Sequence, residues 1–96
     1  MAGCHLLNAF DLDVLGRVAN DYEAVHTIRS DIERDLARTV SASETEFALV
    51  RLVDAGFVDA YSYDAQGRAY RKVNIGFGPA AQLWFLISRA GHEKLL

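Results

Sequence analysis

The sequence predicts an α+β domain in which the helices come first and a small antiparallel sheet follows. Three observations carry this expectation. Two segments open on a serine followed three residues later by a glutamate, Ser30-Asp31-Ile32-Glu33 and Ser43-Glu44-Thr45-Glu46. In that pattern the hydroxyl and the carboxylate each accept from an amide that the first helical turn leaves unpaired. After Gly56 the apolar spacing changes from three and four residues to two. Finally, the unbroken apolar run Leu83 to Ile87 reads as a strand covered on both faces.

The first helix is expected over Asp11 to Tyr22, where Leu12, Leu15, Val18, Ala19 and Tyr22 share one face. Asp11 and Asp13 fall in its first turn, where the helix dipole favours carboxylates. Ala24 to Ile28 is rich in β-branched residues and reads as a strand stub. A second helix is expected from Asp31 to Arg38, and the turn Thr39 to Ala42 leads to a third that starts at Ser43. Gly56 ends the third helix, in the left-handed position that glycine tolerates. Phe57 to Tyr63 and Arg68 to Ile75 are the two strands of a hairpin around Asp64-Ala65-Gln66-Gly67. Leu83 to Ile87 is the next strand, and Ser88 caps a short helix that ends at Leu95 and Leu96.

Ninety-six residues, 51% hydrophobic and 24% charged with a single proline, fit one globular domain spanning 1–96. That much apolar content excludes disorder. The apolar run at Leu83 is far shorter than the ~20 residues a membrane span needs. The lone Cys4 and the lack of a signal-peptide pattern at the N-terminus point to a cytoplasmic protein. Charge is uneven along the chain: residues 1–65 sum to −7 and residues 66–96 to +4, giving −3 overall.

The order helix, strand stub, helix, turn, helix, hairpin, strand, helix resembles the winged helix-turn-helix. Two stretches carry the resemblance. Arg51-Leu52-Val53-Asp54-Ala55-Gly56-Phe57-Val58 looks like the end of a recognition helix running into the wing. Leu86-Ile87-Ser88-Arg89-Ala90-Gly91-His92-Glu93-Lys94-Leu95 is similar to the wing exit of MarR-like and PadR-like regulators. The resemblance covers roughly Asp11 to Leu95. It implies a three-helix core with a small antiparallel sheet and wing, a short C-terminal helix, and a DNA-binding transcriptional regulator acting on double-stranded DNA. It also implies that the third helix enters the major groove, with Ser43, Thr45, Glu46 and Arg51 facing bases or backbone. Arg68, Arg71 and Lys72 would be wing contacts to phosphate. A homodimer is implied too, through the flanks Ala2 to Phe10 and Gly91 to Leu96, where Leu6, Leu7, Phe10, Leu95 and Leu96 are apolar. Packing of those residues on their own domain is the other explanation.

Physical chemistry supports part of this. Phosphate contacts come from Lys, Arg, hydroxyls and helix N-terminal amides, and the wing offers three cations within five residues. The third helix fits less well, since Glu44 and Glu46 repel phosphate and Arg51 is its only cation. The chain also departs from the family between Val73 and Leu83, where Gly76-Phe77-Gly78-Pro79 implies an enlarged wing or an extra strand. A protein-interaction module without DNA binding is therefore the alternative, supported by Tyr61, Tyr63, Tyr70 and Phe77 and by the acidic first two-thirds. Cys4, His5, His26 and His92 are zinc-type ligands, but they match no ligand spacing, so no metal site is expected. No phosphate-cradling glycine loop follows a strand, and the carboxylates suit helix faces and first turns. No cofactor and no enzymatic activity are expected.

Overall fold

The computed structural model describes residues 7–96, apart from the side chain of Phe77. It is α+β: four helices and one four-stranded antiparallel sheet, in the order α1 (Ala9–Arg17), β1 (Glu23–Ala24), α2 (Val25–Leu36), α3 (Ala42–Asp54), β2 (Val58–Asp64), β3 (Ala69–Val73), β4 (Trp84–Ile87) and α4 (Arg89–Leu95). The strands lie side by side as β1-β4-β2-β3.

α1 starts earlier than the apolar spacing suggests, because Asn8 and Asp11 cap it reciprocally. Asn8 Oδ1 accepts from the Asp11 amide at 2.8 Å and the Asp11 carboxylate accepts from the Asn8 amide at 3.3 Å. The helix stops at Arg17, so Tyr22 lies beyond it. Leu12, expected on the buried face, is 39% exposed, while Val14 and Leu15 are buried.

The stretch Ala24 to Ile28 is helical from Val25 onward, contrary to its β-branched composition. Val25, Ile28 and Ile32 lie three and four residues apart and are all buried, so burial of that stripe overrides strand propensity. Ser30 is therefore in mid-helix and caps nothing. Glu33, expected to complete its capping box, instead accepts from the Val40 amide at 2.8 Å and pairs with Arg29 at 3.0 Å. These contacts fasten the turn that follows α2, which Ala37 opens with a left-handed backbone (φ 53°).

α3 begins one residue before the expected start at Ser43. Its cap is Ser41, whose hydroxyl accepts from the Glu44 amide at 3.0 Å. With this register Thr45, Ala48, Leu49 and Leu52 face the core. Gly56 ends the helix region at φ 83°, as expected.

β2 and β3 form the expected hairpin, with Tyr61 opposite Lys72 and Tyr63 opposite Tyr70. β4 returns on the other side of β2, with Val58 opposite Ile87 and Tyr61 opposite Trp84, and pairs through its far edge with β1. Residues between β3 and β4 add no strand; they form two single 3-10 turns, Ile75–Phe77 and Ala80–Gln82. Burial alternates along β4, with Phe85 and Ile87 inside and Trp84 and Leu86 half-buried, so only one face of this strand is fully covered.

One core joins the helices to the inner face of the sheet: Val14, Leu15 and Val18 of the α1 region, Ile28 and Ile32 of α2, Leu49 and Leu52 of α3, with Val58 and Phe85. The start of α4 is bolted to the α3–β2 junction. Ser88 Oγ donates to the Gly56 carbonyl at 2.6 Å and accepts from the Gly91 amide at 3.1 Å, and the Ser88 amide donates to Phe57 O at 2.9 Å. Gly91 sits so close that a Cβ there would run into the Phe57 carbonyl.

Candidate interaction surfaces

α3 presents a mixed surface. Ser43 is exposed in the first turn and Glu46 is half-buried. Thr45 is buried, its hydroxyl donating to the Ser41 carbonyl at 3.1 Å. Next to Glu46, Phe47 is 64% exposed. Arg51, one turn further on, is turned toward α1. Its Nη2 donates to Asp11 Oδ1 at 2.6 Å and its Nε lies 3.2 Å from both carboxylate oxygens. The Asp11 side chain is 1% exposed, and this hydrogen bonding raises the Arg51 pKa further above its usual value. The only cation of α3 thus neutralises a buried carboxylate. Glu44, in turn, holds Arg38 at 3.1 Å.

The hairpin cations diverge. Arg68 occupies the turn with φ 52°, a conformation that residues with a Cβ adopt only at some cost. Strand alternation sends Arg71 and Lys72 to opposite faces, and each meets a carboxylate: Arg71 and Asp64 at 3.5 Å, Lys72 and Asp59 at 3.3 Å. A shallow groove lined by Lys72, Val73, Asn74 and Gly76 opens at this end.

The same pairing extends over the molecule. Eight of the ten Lys and Arg side chains lie beside a carboxylate, among them Arg17 with Asp35 and Arg34 with Asp31. Among the described residues only Arg68 and Lys94 have none, and Lys94 lies over the Phe57 ring. Five carboxylates, Asp13, Asp21, Glu23, Glu46 and Asp54, are likewise without a cationic partner there. The uncompensated charge of this surface is negative.

The outer face of the sheet gathers five aromatic rings. Tyr61 and Tyr63 alternate with the core residues of β2, Tyr70 stands opposite Tyr63, and Trp84 stands opposite Tyr61. Tyr22 reaches over them from the segment after α1, its ring parallel to Tyr70 with centroids 3.8 Å apart. Tyr22 meets Tyr61 edge-on at 4.9 Å; Tyr63 and Trp84 lie 5.0 and 5.7 Å from Tyr70. Such offset and edge contacts add stability beyond area burial. Desolvation within the cluster raises the pKa of Tyr61, as Asp59 also does, and that of Tyr70, as Asp21 also does. The aromatic content of the wing pointed to Tyr61, Tyr63 and Tyr70, and to Phe77, whose side chain lies outside the described residues. Tyr22 was assigned to a helix face and Trp84 to a covered strand; what could have found Trp84 is the strict alternation of β4.

Leu7 and Phe10 pack against their own core, whereas Leu95 is 41% exposed and Leu96 fully so. Leu6, Cys4 and His5 lie outside the described residues. Among the described residues no three His, Cys, Asp or Glu side chains converge in a way that could hold a metal ion, and no helix is long and apolar enough to cross a membrane. No protein-family model and no curated protein matches the chain.

Proposed function

We propose that the chain is a winged helix-turn-helix domain that acts as a protein-interaction module in the cytoplasm and carries out no catalysis. The element order up to β2, the tight α2–α3 turn and the sheet order support the fold reading. In it β4 is the exit strand beside β2, and β3 with the 74–83 segment is an outward enlargement of the wing. Fold does not fix function, which rests on the surface.

The observation that carries the protein-binding reading is the dispersal of positive charge. A duplex-binding face needs cations free to meet phosphates. Here Arg51 is held by buried Asp11, Arg71 and Lys72 diverge, and α3 offers Glu46, Phe47 and Asp54 where a groove-reading helix needs donors.

A second reading, DNA binding through the wing, is favoured by one feature. Arg68 has no carboxylate partner among the described residues, and the Arg71 and Lys72 side chains are 74% and 69% exposed, so phosphates could replace their carboxylates. Fluorescence anisotropy of a mixed-sequence duplex at low and moderate salt separates the two. The protein-binding reading expects no binding at low salt. Binding that falls steeply with salt, and that weakens when Arg68 and Arg71 are both changed to Ala, overturns it in favour of the wing.

A further inference from the structure

The aromatic cluster on the outer sheet face joins three strands and Tyr22, and its chemistry points to a particular class of partner. Tyr63 is its outermost ring and is 46% exposed. Tyr22 shields one side of Tyr70 by stacking on it. Phenol rings on an open sheet offer negative faces to cations, above all to a guanidinium, which lies flat on them.

The charge around the rings agrees. Asp21 and Glu23 flank Tyr22 in the chain, and neither has a cationic partner among the described residues. Asp21 accepts from the Tyr22 amide at 2.7 Å, which keeps its carboxylate beside the ring stack. Asp59 lies on the same face and shares its charge with Lys72. Glu23 stands opposite the core residue Phe85 and so faces the α2 side of the sheet, which leaves Asp21 as the carboxylate at the rings. The edge of the platform therefore carries the uncompensated negative charge of Asp21. A polyanion such as single-stranded nucleic acid, the other ligand that aromatic platforms stack, would be repelled there.

We propose that this face, Tyr22, Tyr63 and Tyr70 with Asp21 beside them, docks an arginine-rich segment of a partner protein, its guanidinium groups stacked on the rings and its charge met by the carboxylates. This rests on the protein-binding reading and deepens it by naming the partner's chemistry.

Trp84 is the only tryptophan of the chain and lies 5.7 Å from the Tyr70 ring, so its fluorescence reports on the platform. The experiment titrates the intact protein with an octa-arginine peptide, an octa-lysine peptide and an oligothymidylate. The expected result is a saturable change in Trp84 emission with octa-arginine that weakens as salt is raised. Tyr63→Leu should weaken binding by roughly two- to fivefold, the range of one exposed cation–ring contact. Asp21→Asn should weaken it as well, with circular dichroism unchanged in both variants. Equal binding of octa-lysine overturns the stacking geometry. Tighter binding of oligothymidylate overturns the choice of partner. Absence of any response to octa-arginine, or full binding by both variants, overturns the proposal. The duplex titration separates the two levels: silence toward both duplex and octa-arginine removes this proposal alone, whereas duplex binding removes the reading beneath it.

Discussion

Arg51 and Asp11, forty residues apart in sequence, are joined by three hydrogen bonds that tie α3 to the first turn of α1. The carboxylate is buried and also closes the α1 cap, so its charge depends on the guanidinium for compensation. Arg51→Met should cost about 2 to 3 kcal/mol, because a buried carboxylate then loses its partner while water reaches it from the half-open arginine side. Adding Asp11→Asn to the same chain should recover part of that loss. Urea unfolding of the two singles and the double would measure the coupling, and strictly additive effects would show that the pair does not act as a unit.

The position of the α3 cap is directly testable. Ser41→Ala should destabilise by about 1 kcal/mol, the usual cost of losing a capping hydroxyl. Ser43→Ala should be nearly silent, since that side chain is exposed within the first turn. A larger loss at Ser43 than at Ser41 would restore the later helix start.

Two glycines should respond in opposite directions to the same change. At Gly91 a methyl group meets the Phe57 carbonyl and the Ile87 side chain, and Gly91→Ala should cost about 1 to 3 kcal/mol by overpacking. At Gly16, in α1, nothing stands within 4 Å of the added atom, and Gly16→Ala should stabilise by up to about 1 kcal/mol. Thermal unfolding of each variant would read both signs.

Glu23 gives a pH dependence. Its pKa is raised by burial and by Asp31 and Asp21, so the folded chain binds this proton more tightly than the unfolded chain does. Stability from this group is present in full below the ordinary carboxylate pKa and is lost as pH rises through the raised folded value. Glu23→Gln should therefore raise the urea midpoint at pH 7 and leave it unchanged near the acid end of the carboxylate range. A loss of stability at pH 7 would mean that the carboxylate makes a favourable contact.

The element order was legible because apolar patterning is a local property: three- and four-residue spacing through α2 and α3, then alternation through β2 and an unbroken apolar run at β4. The misplaced boundaries came from competing local signals. The β-branched residues at Val25, Thr27 and Ile28 argued for a strand, and the core overruled them by burying Val25 and Ile28 on one helical face. Ser30 and Ser43 matched a capping-box pattern, but the reciprocal box lies at Asn8 and Asp11 of α1, α3 is capped one-way by Ser41, and α2 starts at Ala24 with no side-chain cap. The site was less legible still. Arg51 looked available on α3 because nothing local announces that Asp11 will meet it. Tyr22 and Trp84 join the platform from segments distant in sequence, a convergence that only the sheet order β1-β4-β2-β3 creates.

That strand order also decides how the sheet ends. One border is β1, only two residues long, and the other is β3, which carries Arg71 on one face and Lys72 on the other. A short border offers almost no unpaired backbone to a foreign strand, and charged side chains along a border disfavour its pairing with another strand. The longest strand, β2, is interior, as is β4. The domain can thus carry a partly exposed aromatic cluster on its sheet while its backbone resists the strand-by-strand growth that leads to aggregates.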